Sequence, residues 1–374
     1  MGGLRVLITN HFLRGRTGSE LYVCELATSL LRLGHTPIVY SPQLGDTARE
    51  LREATVPVID TLEALASSPD LIHGQHHVET MTALLRFPNT PAVSFCHGWL
   101  PWEETPPKHP RILRFVAVDD TCRDRLVCEH AAPEERVSVI LNSVDVDRFV
   151  PRAPLPAKPA RALIFSNGAS ESTHVGAVRE ACRRKGLTLD VIGADSGNVS
   201  LCPQDVLGQY DIVFAKARCA LEAIAVGTAV VLCDKVGAGP MVTTGNMDRL
   251  RRLNFGVRTL QERVNGEMLE REIERYDPQD AGEVSRRIRT DASRKENIDQ
   301  IVAIYHEVIR EFDETPHRDL DAEARAEAQY LRELSTHYEQ QRGVLLNSNT
   351  YRLRQRLLDL PLAGSLARFL ARKF

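Results

Sequence analysis

No run of apolar residues in this chain is long enough to cross a bilayer as a helix, which would take about 20 in succession. No leader is expected either, because Met1-Gly-Gly-Leu-Arg-Val-Leu-Ile-Thr9 reads straight into a strand. The eight cysteines are scattered without a C-x-x-C pair. Most lie in apolar stretches, as buried free thiols do, and a reducing cytoplasm is the expected compartment. An excess of one charge is missing too: 47 basic and 50 acidic residues leave a formal net charge of −3. That balance argues neither way on nucleic acid, and none is expected as a partner. A complete G-x-G-x-x-G is also absent. Gly237-Ala-Gly-Pro240 stops short of it, and no acid follows at the right distance in a clean βαβ unit, which speaks against an NAD-dependent dehydrogenase.

What is present suits a two-domain α/β protein. The chain has 374 residues, 43% hydrophobic and 26% charged, enough for two real cores. Leu4 to Thr9 reads as a buried strand, Asn10 to Glu20 as a polar loop with Gly15 and Gly18, and the following residues as a helix capped by Ser19 and ended by Gly34. Thr36 to Tyr40 is the next strand, so a parallel β-loop-α-β unit opens the chain. Short strands and helices then alternate to about residue 150, as in a doubly wound domain. Pro151, Pro154, Pro156 and Pro159 form a semi-rigid linker. A second α/β series begins at Ala162. The expected division is 1–150 and 151–312, both Rossmann-like, with a helical extension over 313–374.

The second series centres on Cys219 to Cys233. Its first half reads as a helix with an apolar face of Leu221, Ile224 and Ala225. Gly227 makes a tight turn, and Ala229-Val-Val-Leu232 reads as a strand covered on both sides. Glu222 is a lone carboxylate in that apolar helix, either solvated or a ligand for hydroxyl groups. A turn is expected at Gly237 to Pro240. Because open α/β sheets bind ligands beyond the carboxyl ends of their strands, the loops there are where chemistry belongs. They include the Gly15/Gly18 loop at a helix N-terminus, which favours an anion. They also include Leu71-Ile-His-Gly-Gln-His-His77, the Ser94-Phe-Cys-His97 strand end, and Asn142-Ser-Val-Asp145, where Asn142 and Asp145 can hold a turn.

Taken in order, these pieces resemble the retaining GT-B glycosyltransferases of the glycogen-synthase-like, family 4 group, over roughly residues 4–310. The likeness rests on Thr17-Gly-Ser-Glu20 with Leu33-Gly-His35, on Asn142-Ser-Val-Asp-Val-Asp-Arg-Phe149, and on Leu221-Glu-Ala-Ile-Ala-Val-Gly-Thr-Ala-Val-Val231. It implies transfer from a nucleoside-diphosphate sugar. Glu222 would accept both hydroxyls of the ribose, and His97 would lie near the sugar and the scissile bond. The Gly18 N–H would approach the diphosphate, and Gly237 and Gly239 would lie near sugar or phosphates. Arg14, Arg16 and His76 would fall on the acceptor side. Neither a metal nor a cofactor is implied.

Two departures stand out. The acid eight residues before Glu222 in an E-x7-E pattern is replaced by Phe214, and Phe165-Ser-Asn-Gly-Ala-Ser-Glu171 lacks the Arg and Lys expected after the first strand of the second domain. Lys216 and Arg218 are the expected substitutes, with Lys216 neutralising the leaving diphosphate. An epimerase of the same fold and a non-catalytic scaffold are the other classes the chain allows. The charged stretch Asp319 to Gln341 reads as a long exposed helix. Tyr351 to Phe374, with Arg352, Arg354, Arg356, Arg368, Arg372 and Lys373 among leucines, reads as an amphipathic tail. Residues 319–374 are expected to meet a membrane surface or a protein, placing the enzyme at the inner face of a membrane beside a glycan or lipid-linked acceptor.

Overall fold

A computed structural model describes residues 2–315, 319–348 and 350–353. The first sheet holds β1 (Arg5–Thr9), β2 (Thr36–Tyr40), β3 (Val58–Ile59), β4 (Leu71–Gly74), β5 (Ala92–Cys96), β6 (Ile112–Ala117) and β7 (Val137–Val139). Their order is β3-β2-β1-β4-β5-β6-β7, and every pair is parallel. Four helices alternate with them: α1 (Gly18–Arg32), α2 (Asp46–Glu53), α3 (His77–Arg86) and α4 (Asp120–Asp124). The strand order reverses between β1 and β4, so loops after those strands diverge and leave a crevice.

The second sheet holds β8 (Arg161–Phe165), β9 (Thr188–Ile192), β10 (Ile212–Ala215), β11 (Ala229–Asp234) and β12 (Gly237–Met241), in the order β12-β11-β10-β8-β9. It is flanked by α5 (Val175–Arg184), α6 (Ala217–Val226), α7 (Met247–Arg252), α8 (Gly266–Glu274) and α9 (Pro278–Asp291). Its inner strands are apolar over Ile212–Ala215 and over 229–233 because both faces are covered. Val213 and Ala215 pack with α6, while Ile212 and Phe214 pack on the other face with Val178 of α5 and Leu269 of α8. Phe214, where an acid was sought, is a fully buried core residue. This sheet's order reverses between β8 and β10.

Several sequence expectations change. Gly237 to Pro240 is no turn but the start of β12, which runs antiparallel to β11. Its glycines serve close backbone approach: a Cβ on Gly239 would stand 2.4 Å from the Thr259 carbonyl oxygen. Thr17, not Ser19, caps α1. Val144 and Phe149 pack in the second domain's core. The helix α10 (Arg294–Glu314) sends Ile298, Ile301, Tyr305 and Val308 into the first. The chain thus returns to its first sheet before residue 312.

Among the described residues, a separate compact unit comprises 107–110, 319–348 and 350–353, with α11 (Leu320–Asn347) as its long helix. Leu331, Tyr338 and Leu345 of α11 are exposed, as the sequence leads one to expect. No described helix is long and apolar enough to cross a membrane. Beyond Leu353, the amphipathic tail with Arg354, Arg356, Arg368, Arg372 and Lys373 lies outside the described residues.

Candidate donor and acceptor sites

The strand β10 turns into α6 through Lys216 and Ala217, whose φ of 49° is left-handed and strained for a residue with a Cβ. The other end of α6 closes on Gly227 at φ 95°, where glycine bears no such cost. Between them Glu222 is 6% exposed, on a helix whose neighbours are core residues. Burial raises its carboxyl pKa, and the Arg218 guanidinium opposes that rise. Arg218 Nε donates to Glu222 Oε1 at 2.8 Å, and its Nη1 donates to Glu25 Oε2 of α1 at 2.9 Å. Burial would lower the Arg218 pKa, but Glu25 and Glu222 outweigh it and hold the guanidinium charged. Arg294 of α10 also donates to Glu25, and its Nη1 reaches Asp145 Oδ2 at 2.9 Å.

This chain of ion pairs borders a cavity of about 390 Å³, within the size range of small-molecule sites. Glu222, Arg218, Phe165, Asn167 and Ser200 line it from the second domain, and Arg16 and Glu25 from the first. The sequence-predicted Glu222, Arg218 and Arg16 therefore meet at one cavity. Arg218 is no exposed turn cation, because it is already committed to two carboxylates. Arg16, expected on the acceptor side, pairs with both Glu50 oxygens at 2.7 and 2.8 Å on the wall of the Glu222 cavity. Lys216 caps α6, with its Nζ 3.2 Å from Asp234 Oδ2. At 1.5 Å per helical residue it stands about 9 Å along the axis from Glu222.

The glycine loop before α1 already holds an anion, the chain's own. Glu20, fully buried, accepts from the Gly15 N–H at 2.7 Å and the Thr17 N–H at 2.9 Å. The T-x-x-E spacing was the available signal for this. Gly18, at the first position of α1, has nothing within 4 Å of where a Cβ would stand. Arg14 is exposed.

The three histidines in and just after β4 separate into three roles. His73 Nδ1 bonds the Tyr305 hydroxyl of α10 at 2.7 Å, a tie inside the core. His77 packs edge-on against Trp102. His76 sits at φ 58° and accepts the His11 N–H at 3.2 Å, with its Nε2 3.6 Å from Glu104 Oε1. Burial pushes His76 down to about 4, so at neutral pH the imidazole is uncharged and this contact is no ion pair. Glu104 meanwhile is raised, chiefly by burial, and accepts the His97 N–H at 3.1 Å. The His97 ring lies against Tyr22 of α1, centroids 4.4 Å apart, and its Nε2 has no partner. Burial and His76 push it down to about 3. His97 does not border the Glu222 cavity. The two are linked through α1, which sets Tyr22 on His97 and Glu25 on Arg218. Glu25, Arg294, Glu104 and Tyr22 escaped the sequence reading; Glu25, Arg294 and Tyr22 find their partners far away in the chain.

A family model described as Glycosyltransferase Family 4 matches residues 16–148. No curated protein matches the chain. Solved structures do. A glycosyltransferase from Rickettsia africae superposes with a TM-score of 0.62 at 16% identity, over 83% of this chain and 99% of that one. Anabaena Alr3699/HepE in complex with UDP gives 0.62 at 14% identity, over 81% and 100% of the two chains. The fold is GT-B. Among other GT-B matches, HepE with UDP-glucose gives 0.59 at 15% identity over 81% and 100%. A candidate UDP-N-acetylglucosamine 2-epimerase from Listeria monocytogenes gives 0.52 at 12% over 85% and 99%. At such identities the likeness speaks for the fold alone.

Proposed function

We propose that this GT-B protein transfers a sugar from a nucleoside-diphosphate donor to an acceptor, with the donor's nucleoside on the second sheet and its ribose on Glu222. The observation that carries this is a carboxylate, 6% exposed and paired with Arg218, opening on a cavity of about 390 Å³. An ionised acid accepts both hydroxyls of a vicinal diol and donates to neither. The family match over the first domain and the GT-B neighbours crystallised with UDP and UDP-glucose support the reading. Lys216, at the N-terminal end of α6 before the ribose clamp, takes the leaving diphosphate, and His97 contributes a neutral imidazole on the acceptor domain. Retention of configuration, a glycan or lipid-linked acceptor at the inner membrane face, and the absence of a metal or cofactor belong to the same proposal.

Titration with nucleotides and nucleotide sugars, followed by product analysis with the tightest binder, tests it. Sugar transfer or donor hydrolysis is expected. Release of an epimerised sugar would move the protein to the epimerase reading. Failure to bind any nucleotide would leave a scaffold.

A further inference from the structure

The loop from Ser166 to His174 and the short β11–β12 connection meet at the second sheet's switch point, beside Lys216. His174 is 2% exposed, yet neither of its ring nitrogens has a hydrogen-bond partner. Such a group costs free energy in the absence of a ligand. Its imidazole feels the charges of Asp234, Lys216 and Lys235. Lys235 is exposed and makes no ion pair among the described residues. Its side chain lies over Gly168, with Cδ, Cε and Nζ 3.1, 3.2 and 3.3 Å from where a Cβ would stand. Glycine at 168 lets that stem fold close over the loop. Asp234, the one carboxylate among the charges that act on His174, is occupied: it accepts Ser166 Oγ at 3.3 Å and faces the Lys216 Nζ at 3.2 Å. Two ammonium groups against one carboxylate leave a net positive recess with a buried, unpartnered imidazole in its wall. The recess adjoins the donor cavity, because Asn167 lines that cavity and its neighbour Gly168 lies beneath Lys235.

We infer that Lys235 and His174 join Lys216 in holding the diphosphate of the donor, supplying from the ends of β11 and the 166–174 loop the contacts that residues 165–171 lack as cations. The inference rests on the donor reading above and adds two residues to it. The β-phosphate oxygens would take the Lys235 ammonium as a charge-assisted donor, and His174 would give one N–H.

The test is calorimetric titration of the intact protein with UDP, GDP and ADP and with the matching nucleosides. Lys235→Ala, an exposed change, is expected to weaken the best-bound diphosphate by about tenfold or more while nucleoside affinity stays within about twofold. Lys235→Arg should restore most of the loss, and His174→Ala should show a smaller loss of the same kind. If Lys235→Ala keeps the diphosphate-to-nucleoside affinity ratio of the unmodified protein, this inference is overturned and the donor reading stands. If the unmodified protein binds none of the nucleotides or nucleosides, the donor reading fails and takes the inference with it.

Discussion

Replacing Arg218 with methionine would leave Glu222 and Glu25 facing one another without the guanidinium that now bonds both. Glu222 is already raised by burial and by Glu25, with Arg218 as the main opposing influence. Removing one member of a buried pair costs about 3–5 kcal/mol, because the remaining charge is uncompensated. Here Arg294 still holds Glu25, so the lower end, about 3 kcal/mol, is expected. For a chain of 374 residues that lowers Tm by roughly 4 °C. A protonated Glu222 has lost one of its acceptor sites for the ribose diol. Nucleotide affinity should therefore fall by about tenfold at the lower of two pH values and recover at the higher, as the carboxyl ionises again. Thermal unfolding and calorimetric titration at both pH values read the two effects. Adding Glu25→Gln should return about 1–2 kcal/mol of stability, a coupling within the range for contacting groups. An Arg218→Met protein with unchanged Tm, or one whose nucleotide affinity is the same at both pH values, would refute the reasoning.

Other consequences follow from the same geometry. His76 and His97 are lowered from 6.5 to about 4 and about 3, so between those values the unfolded chain binds protons that the folded chain does not. Stability from each is complete above about pH 6.5 and falls as pH drops, by roughly 1.4 kcal/mol per unit per histidine. Denaturant titrations should show His97→Asn flattening that slope by about one proton's worth, and an unchanged slope would contradict it. Gly239→Ala drives a Cβ to 2.4 Å from the Thr259 carbonyl oxygen and should cost about 1–3 kcal/mol or more in a thermal melt. Gly18→Ala meets nothing within 4 Å. It should melt like the parent, so any loss of diphosphate affinity reports a ligand close to that backbone. Lys216→Ala should raise the donor KM or lower kcat by about tenfold. Unchanged donor kinetics would remove Lys216 from the site.

The parallel architecture was legible because its signals are local. Val213 and Val230 belong to short apolar runs bounded by polar or glycine positions, and Gly227 closes α6 where the pattern stops. Glu222 was legible for a related reason, as a single acid in a helix with an apolar face. Local signals also misled. Gly237-Ala-Gly-Pro240 has turn composition, yet its glycines admit an edge strand against the 259–262 backbone, a contact that no spacing in the sequence encodes. The periodicity of α10 announced an amphipathic helix but not which core would receive it. The ion pairs around the cavity were out of reach, since Glu25 finds Arg218 and Arg294 across 193 and 269 residues. The histidines in and just after β4 looked alike in sequence. Only their partners, Tyr305, Glu104 and Trp102, separate a core tie from cleft groups.

The most direct test of the central claim is calorimetric titration of nucleoside diphosphates into the intact protein and into its Glu222→Gln variant. The amide keeps the size of the side chain but can accept at one atom only. The expected result is binding of at least one diphosphate by the intact protein, weakened about tenfold or more by the substitution, with its nucleoside weakened to the same degree. Equal affinity of both proteins for that nucleotide would contradict the assignment of Glu222 as the ribose clamp.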